Sequence, residues 1–340
     1  MLGNFLLFCS VLFLGYTAAA VAQDDECKLR RLDAQGEPYR YIHARSQSKT
    51  GTCYAYAAAG MADALRARKA KTYDDFTKIW AARVSAINVA LQAKIKADLD
   101  DPLRGGSFCS SYRKIARQGF CPDYAIPNVF KGKKSTPAIN ELRSFYETFQ
   151  KNRNEDLASE VLVYLQFVLE LNPEEIPSET EIATYLEEQT PGEYLKSIIS
   201  YRCETEELQQ RVSLPKCNSL KNKTANYTSI FSEKVLAELS KKKTTGAAVA
   251  MCSQVLREGK EVESAVSDGK PLATCKKHVV LVIGKRRTSD GDCQVLIRNS
   301  WGSGCKKYSK NWECNDGDVW VDTHILFKNT FGVSYLGDLK

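Results

Sequence analysis

The sequence predicts an α+β protein, with helices in the first part, helices alone through the middle and an antiparallel sheet towards the C-terminus. Three observations carry that expectation. Residues 53–71 are rich in alanine, the best helix former, and end in cations, as a helix dipole favours. Across 131–223, apolar residues recur at helical spacing. From residue 246 the period changes to short β-branched runs set off by turn residues.

The elements follow in chain order. Residues 5–22 are uncharged and mostly apolar, and Ala20-Val21-Ala22 is an A-x-A cleavage signature, so 1–22 reads as a signal peptide. Its N-terminal region lacks Lys and Arg, and an uncleaved membrane anchor is the alternative. Gly15, Thr17 and the three alanines weaken a spanning helix. Residues 23–46 are polar and form an extended lead-in. The alanine-rich helix puts Cys53 in its first turn. Gly105-Gly106 breaks the chain before a second helix over 110–118, with Gly119 as its C-cap. These pieces make a helical lobe over 23–130.

The stretch 131–223 reads as an inserted α-helical subdomain. Thr136 is an N-cap followed by Pro137, and Ile139, Leu142, Phe145, Tyr146 and Phe149 share a face. A second helix runs over 157–169. Ser178 with Glu181 is a capping box opening a third, with Ile182, Tyr185 and Leu186 on one side. Residues 151–210 hold 14 acidic and 4 basic side chains in a chain whose net charge is +7. The insert therefore either packs near a cleft and restricts access or decorates the periphery. In the last part, 224–340, strands are expected over 246–251, 278–283, 294–298 and 317–321, with the turn Ser289-Asp290-Gly291-Asp292 between two of them.

Composition narrows the function classes. A chain of 340 residues, 43% hydrophobic and 26% charged, is neither collagen-like nor wholly disordered. The positive charge is mild for a nucleic-acid binder, and the short Lys and Arg runs read as solvated faces. The histidines are His43, His278 and His324, so a mechanism needing two or three histidine ligands would use nearly all of them. Twelve cysteines without a single C-x-x-C point to disulfides and an oxidising compartment. Cys305 and Cys314 flank a short polar loop and are plausible partners. Cys109 and Cys121 are poorer ones, because a helix of about ten residues spans ~15 Å. Setting aside Cys9 and Cys53, ten cysteines remain, enough for five bridges. Asn222 and Asn226 begin glycosylation sequons.

A nucleophilic cysteine needs a populated thiolate, a base for the proton and donors for the oxyanion. A helix N-terminus supplies free N–H groups and partial positive charge, which serve the first and the last need. On position alone Cys53 is equally well read as a disulfide partner or a small buried hydrophobe. The run Gln47-Ser-Lys-Thr-Gly-Thr-Cys53-Tyr-Ala-Tyr-Ala resembles the nucleophile segment of papain-like cysteine peptidases, of the C1 type. His278 opens HVVLVIG, which resembles the family's histidine strand, and Asn299-Ser300-Trp301-Gly302 matches its Asn-Ser-Trp-Gly segment. Gly105-Gly106 before a helix resembles its glycine pair.

The resemblance implies a two-lobe papain-like fold with a large helical insertion. It implies Cys53 as nucleophile, His278 as base, Asn299 as the residue orienting it, and Gln47 as an oxyanion donor. Trp301 would cover the His278–Asn299 bond, and Gly105 and Gly106 would bind an extended substrate backbone. It implies a secreted cysteine endopeptidase acting on protein or peptide substrates, with no metal, no cofactor and no nucleic-acid partner. A proteinaceous inhibitor is a candidate partner, and membrane contact would come only through an uncleaved N-terminus. Two departures stand out. The family's brace cysteine three residues before the nucleophile is Thr50 here, and the 30 residues between Ala22 and Cys53 leave no room for a long propeptide. The alternatives are another acyl transferase or amidase on the same scaffold, and a non-catalytic binding module.

Overall fold

The computed structural model describes residues 27–48, 50–94, 105–131, 135–205, 214–221, 227–263, 265–267 and 269–337. The expected signal peptide and the Asn222 and Asn226 acceptors lie outside these residues.

The lead-in forms one short strand, β1 (Arg30–Arg31), and then runs mostly as turns to residue 41 rather than extended. The Arg298 guanidinium binds the Tyr39 and Ile42 carbonyls, which curls the lead-in over the sheet. Helix α1 (Cys53–Ala67) is buried at every position except Tyr56 and Arg66. Its alanines explain this: small side chains let other elements close around the helix on all sides. One carboxylate goes inside with them. Asp63 sits beside Arg45 and Arg66 and accepts from the Val84 N–H, so its charge is matched within the core.

Helices α2 (Tyr73–Ala81) and α3 (Ala86–Lys94) were not apparent in the sequence pattern. Helix α4 (Phe108–Gln118) starts two residues before the expected boundary, because Ser107 caps it by accepting from the Ser110 N–H. Gly119 ends it at φ 79°.

The insert contains α5 (Ser135–Asn152), α6 (Leu157–Val163), α7 (Glu179–Glu188), α8 (Pro191–Ile199) and α9 (Tyr201–Thr205). Thr136 lies inside the first turn of α5 rather than before it. Helix α6 continues into a π-helical stretch, Tyr164–Val168. The Ser178–Glu181 capping box forms as the sequence suggests. Helix α8 packs on α3, where the Asn88 amide donates to Ser200 Oγ at 2.9 Å, and Cys203 bonds Cys121. The insert is thus docked on the helical lobe. Its last stretch holds a strand, β2 (Cys217–Lys221), which joins the sheet.

After α10 (Tyr227–Ser240) the sheet builds up from β3 (Ala247–Cys252). Helix α11 (Gln254–Glu258) and the small ribbon β4 (Val266–Ser267) with β5 (Lys270–Pro271) follow. Then come β6 (Lys277–Arg287), β7 (Cys293–Arg298), β8 (Glu313–Asn315) and β9 (Asp318–Asp322). Helix α12 (Thr323–Lys328) precedes β10 (Thr330–Leu336). The strand order is β2-β10-β3-β6-β7-β9-β8, antiparallel throughout, with β1 added on β6. Helix α1 lies against β6, where Gly60 approaches Leu281. Mixed helices and an antiparallel sheet make the α+β class, with one core running from α1 into both the insert and the sheet.

Five disulfides form: Cys27–Cys293, Cys109–Cys217, Cys121–Cys203, Cys252–Cys275 and Cys305–Cys314. Cys53 is the free cysteine among the described residues.

Candidate active site

Sheet register brings the first two site residues together. Leu281 lies opposite Arg298, so the start of β6 and the end of β7 meet at one sheet end. There His278 Nε2 stands 2.6 Å from Asn299 Oδ1. The same Oδ1 accepts the Ser300 N–H at 2.7 Å, which fixes it as an acceptor. Nε2 must then carry the imidazole proton, and Nδ1 keeps its lone pair. Trp301 tilts against the imidazole at 5.4 Å between centroids, and both His278 and Asn299 are buried. Burial pushes the His278 pKa down to about 4. The Asn299 hydrogen bond opposes the shift, and the Arg257 charge adds to it.

Cys53 opens α1. Thr52, at the N-cap, makes no side-chain cap; its hydroxyl instead meets Thr50 Oγ1 at 2.7 Å. Thr50 Oγ1 itself donates to the Gln47 carbonyl at 2.6 Å, so Thr52 must donate to Thr50. No side-chain oxygen caps the first turn of α1, where the Thr52 carbonyl accepts from the Ala55 and Tyr56 N–H groups at 2.9 and 3.1 Å. Burial pushes the Cys53 thiol pKa up, while the backbone N–H groups of Val279, Tyr54 and Cys53 itself act the other way. Val279 follows His278, so the head of β6 abuts the thiol.

Gln47 is held from two sides. Its amide nitrogen donates to the Thr50 carbonyl, and its oxygen accepts from Ser300 Oγ. A backbone bond from Gln47 N to Ser300 O at 2.8 Å ties the same two segments. One amide hydrogen remains for another acceptor. Gln47, Ser300, Asn299 and His278 therefore form one connected network across the two lobes.

Gly105 N–H donates to Gly51 O at 3.3 Å, and Gly105 has φ +71°. A Cβ on Gly106 would lie 2.4 Å from the Tyr54 ring, so only glycine fits there. Both glycines are exposed beside the Cys53 turn. Every site residue expected from the sequence thus falls in one region. Ser300, Thr50 and Thr52 had no expected part in positioning the site; Ser300 sits inside the Asn-Ser-Trp-Gly signature, but the partner it holds is 253 residues away.

No family model and no curated protein matches the chain. Among solved structures it is similar to one from work on the mite allergens Blo t 1 and Der p 1, at 15% identity and TM-score 0.46, over 88% of this chain and 68% of that one. It is similar to SERA5E from Plasmodium falciparum at 14% identity and TM-score 0.47, over 92% and 96%. It is also similar to the bromelain protease from Ananas comosus, in complex with the E64 inhibitor, at 11% identity and TM-score 0.44, over 87% and 93%. At this distance the chemistry has to come from the site's own residues.

Proposed function

We propose that this chain is a secreted papain-like cysteine endopeptidase. The observation that carries the reading is the connected network: a His278–Asn299 pair and a doubly held Gln47 beside the one free cysteine of the described residues. Five disulfides support an oxidising compartment. Among the described residues no helix is long and apolar enough to cross a membrane.

The chemistry runs in two halves. Cys53 Sγ attacks the peptide carbonyl carbon while its proton passes to His278 Nδ1. The oxyanion takes the Cys53 N–H and the spare Gln47 amide hydrogen. His278 then gives that proton to the leaving nitrogen as the C–N bond breaks, leaving a thioester on Cys53. Water attacks the thioester, His278 accepts its proton and returns it to the departing Sγ, and the acid product leaves. Burial disfavours both thiolate and imidazolium, so separating charge between Cys53 and His278 is opposed by their surroundings and favoured by the N–H groups around the thiol.

The test is alkylation with iodoacetamide or a reactive epoxide, followed by incubation with an unfolded protein. Stoichiometric labelling at Cys53 that abolishes cleavage is expected. A chain that cleaves no unfolded protein, or whose cleavage survives complete labelling of Cys53, overturns the reading.

A further inference from the structure

Arg257 lies on α11 and has no part in the proposed reaction, and its guanidinium stands over the Trp301 ring at 4.9 Å from the centroid. It is exposed and forms no ion pair among the described residues. Its position is fixed by unusually firm surroundings. Cys252–Cys275 clamps the chain just before α11, and Gln254 bridges the Thr274 carbonyl and the Lys276 N–H. On the other side the Val255 and Leu256 carbonyls accept from the Trp312 ring N–H and the Ser309 N–H. Gly259 ends the helix at φ +70°, and a Cβ there would lie 2.2 Å from Ser309 Oγ, so the two loops touch through a glycine.

The direction of the chemistry gives this position a meaning. In the proposed reaction His278 delivers its proton to the leaving nitrogen, so the leaving segment lies on the imidazole side, where Trp301 packs on the ring at 5.4 Å between centroids. Arg257 is on that side. Lys307 adds a second cation there, with its ammonium on the Trp301 carbonyl at 2.8 Å. The acidic neighbours do not cancel them: Glu261 is taken by Lys328 at 3.0 Å, and Glu258 is the single carboxylate next to Arg257 in sequence.

Resting on the peptidase reading above, we propose that Arg257 selects substrates with a carboxylate on the leaving-group side of the scissile bond. That carboxylate comes either from an Asp or Glu side chain or from the substrate's own C-terminus. A planar guanidinium pinned on an indole suits a carboxylate at either source.

The test compares kcat/KM for quenched peptides that differ only after the cleaved bond. One pair carries Asp or Lys there with an amidated end; a second pair is uncharged there, with a free or an amidated end. For the wild-type chain we expect the acidic or free-ended member to be favoured about five-fold, the upper range for an exposed ion pair, with the preference shrinking in high salt. Arg257→Gln should bring the ratio near one, Arg257→Lys should keep most of it, and Arg257→Glu should invert it. Whichever pair shows the ratio identifies the source of the carboxylate. A structural role for Arg257 alone would slow all peptides together and leave the ratio unchanged. Equal rates within both wild-type pairs, or a ratio untouched by Arg257→Glu, overturn the inference while the peptidase reading stands. Cleavage of none of the peptides overturns both.

Discussion

On the Cys53 side of the site, the segment from Gln47 to Thr52 is held by side-chain hydrogen bonds: Thr52 to Thr50, Thr50 to the Gln47 carbonyl, Gln47 to Thr50 and Ser300. On the His278 side, the flanking loops are closed covalently by Cys252–Cys275 and Cys305–Cys314. The two walls do different work. In the proposed reaction the first would present N–H donors to a charge that appears only as attack proceeds, with polar side chains rather than a cross-link holding the segment. The second must hold an imidazole and its indole cover in one orientation, which suits a cross-linked loop.

The largest expected effect joins the two walls. Cys53→Ala and His278→Ala should each lower kcat by about 10⁴-fold or more, and the double variant should be no worse than the worse single one, because a nucleophile and its base act as a unit. Steady-state rates on a peptide, with circular dichroism to check folding, measure this. Losses that multiply would separate the walls into independent contributors.

Next comes the donor on the hydrogen-bonded wall. Gln47→Ala should cost about 10²-fold in kcat with little change in KM, the usual loss for one oxyanion donor. A rise in KM alone would make Gln47 a binding residue.

On the covalent wall the corresponding quantity is stability. Replacing Cys252 and Cys275 by Ala together releases a loop with a sequence separation of 23 residues and should lower unfolding free energy by about 3 kcal/mol in urea titration. A loss below about 1 kcal/mol would mean that packing, not the bridge, holds α11 in place.

The pH dependence sharpens the same contrast. His278 is held at about 4 when folded, below its ordinary value of 6.5, so the unfolded chain binds the extra proton first as pH falls. The stabilising contribution is complete above pH 6.5 and is lost as pH falls to about 4, at a cost of about 3 kcal/mol. Between these pH values wild type should lose stability relative to His278→Gln as the solution becomes acidic, read from their denaturation midpoints. A constant gap between them would show that His278 titrates normally.

How legible was all this in the sequence? The β6 and β7 runs were read from their β-branched composition, and the α1 run from its alanines, because local propensity and final environment agree there. Helix α2 escaped although Tyr73, Phe76, Ile79 and Trp80 recur at helical spacing and Thr72 with Asp75 forms a capping box; the stripe is short and none of its residues is fully buried. Strand β10 escaped because Gly332 and Ser334 interrupt the apolar alternation of TFGVSYL. Among the bridges, Cys305–Cys314 was readable from proximity, whereas Cys27–Cys293 spans 266 residues and depends on the finished fold. The site residues and the His278–Asn299 bond under Trp301 were named from the motifs, whereas the bonds that hold Gln47 to Thr50 and Ser300 were not. That Thr52 leaves α1 uncapped and spends its hydroxyl on Thr50 is a three-dimensional choice between two equally available partners.

That choice supports the smallest of the expected effects. Thr50→Val keeps the β-branched shape of a buried side chain and removes its hydroxyl, so the Gln47 carbonyl and the Thr52 hydroxyl both lose a partner. The stability cost should be about 1–3 kcal/mol, the range for a buried group left unsatisfied, and so no greater than that of the disulfide. The freed Thr52 hydroxyl can turn towards the first-turn N–H groups of α1 and cap the helix, as threonine does at most N-caps. It would then compete for donors that otherwise face the Cys53 thiol. The consequence is a rate loss larger than the stability loss suggests, several-fold in kcat, together with slower alkylation of Cys53 because its thiolate is less favoured. Thr50→Val with Thr52→Val removes the competitor as well, so kcat should recover part of the loss while stability falls further. If the double variant is slower than Thr50→Val, the hydroxyl pair aims Gln47 directly and the capping competition is not what governs the nucleophile.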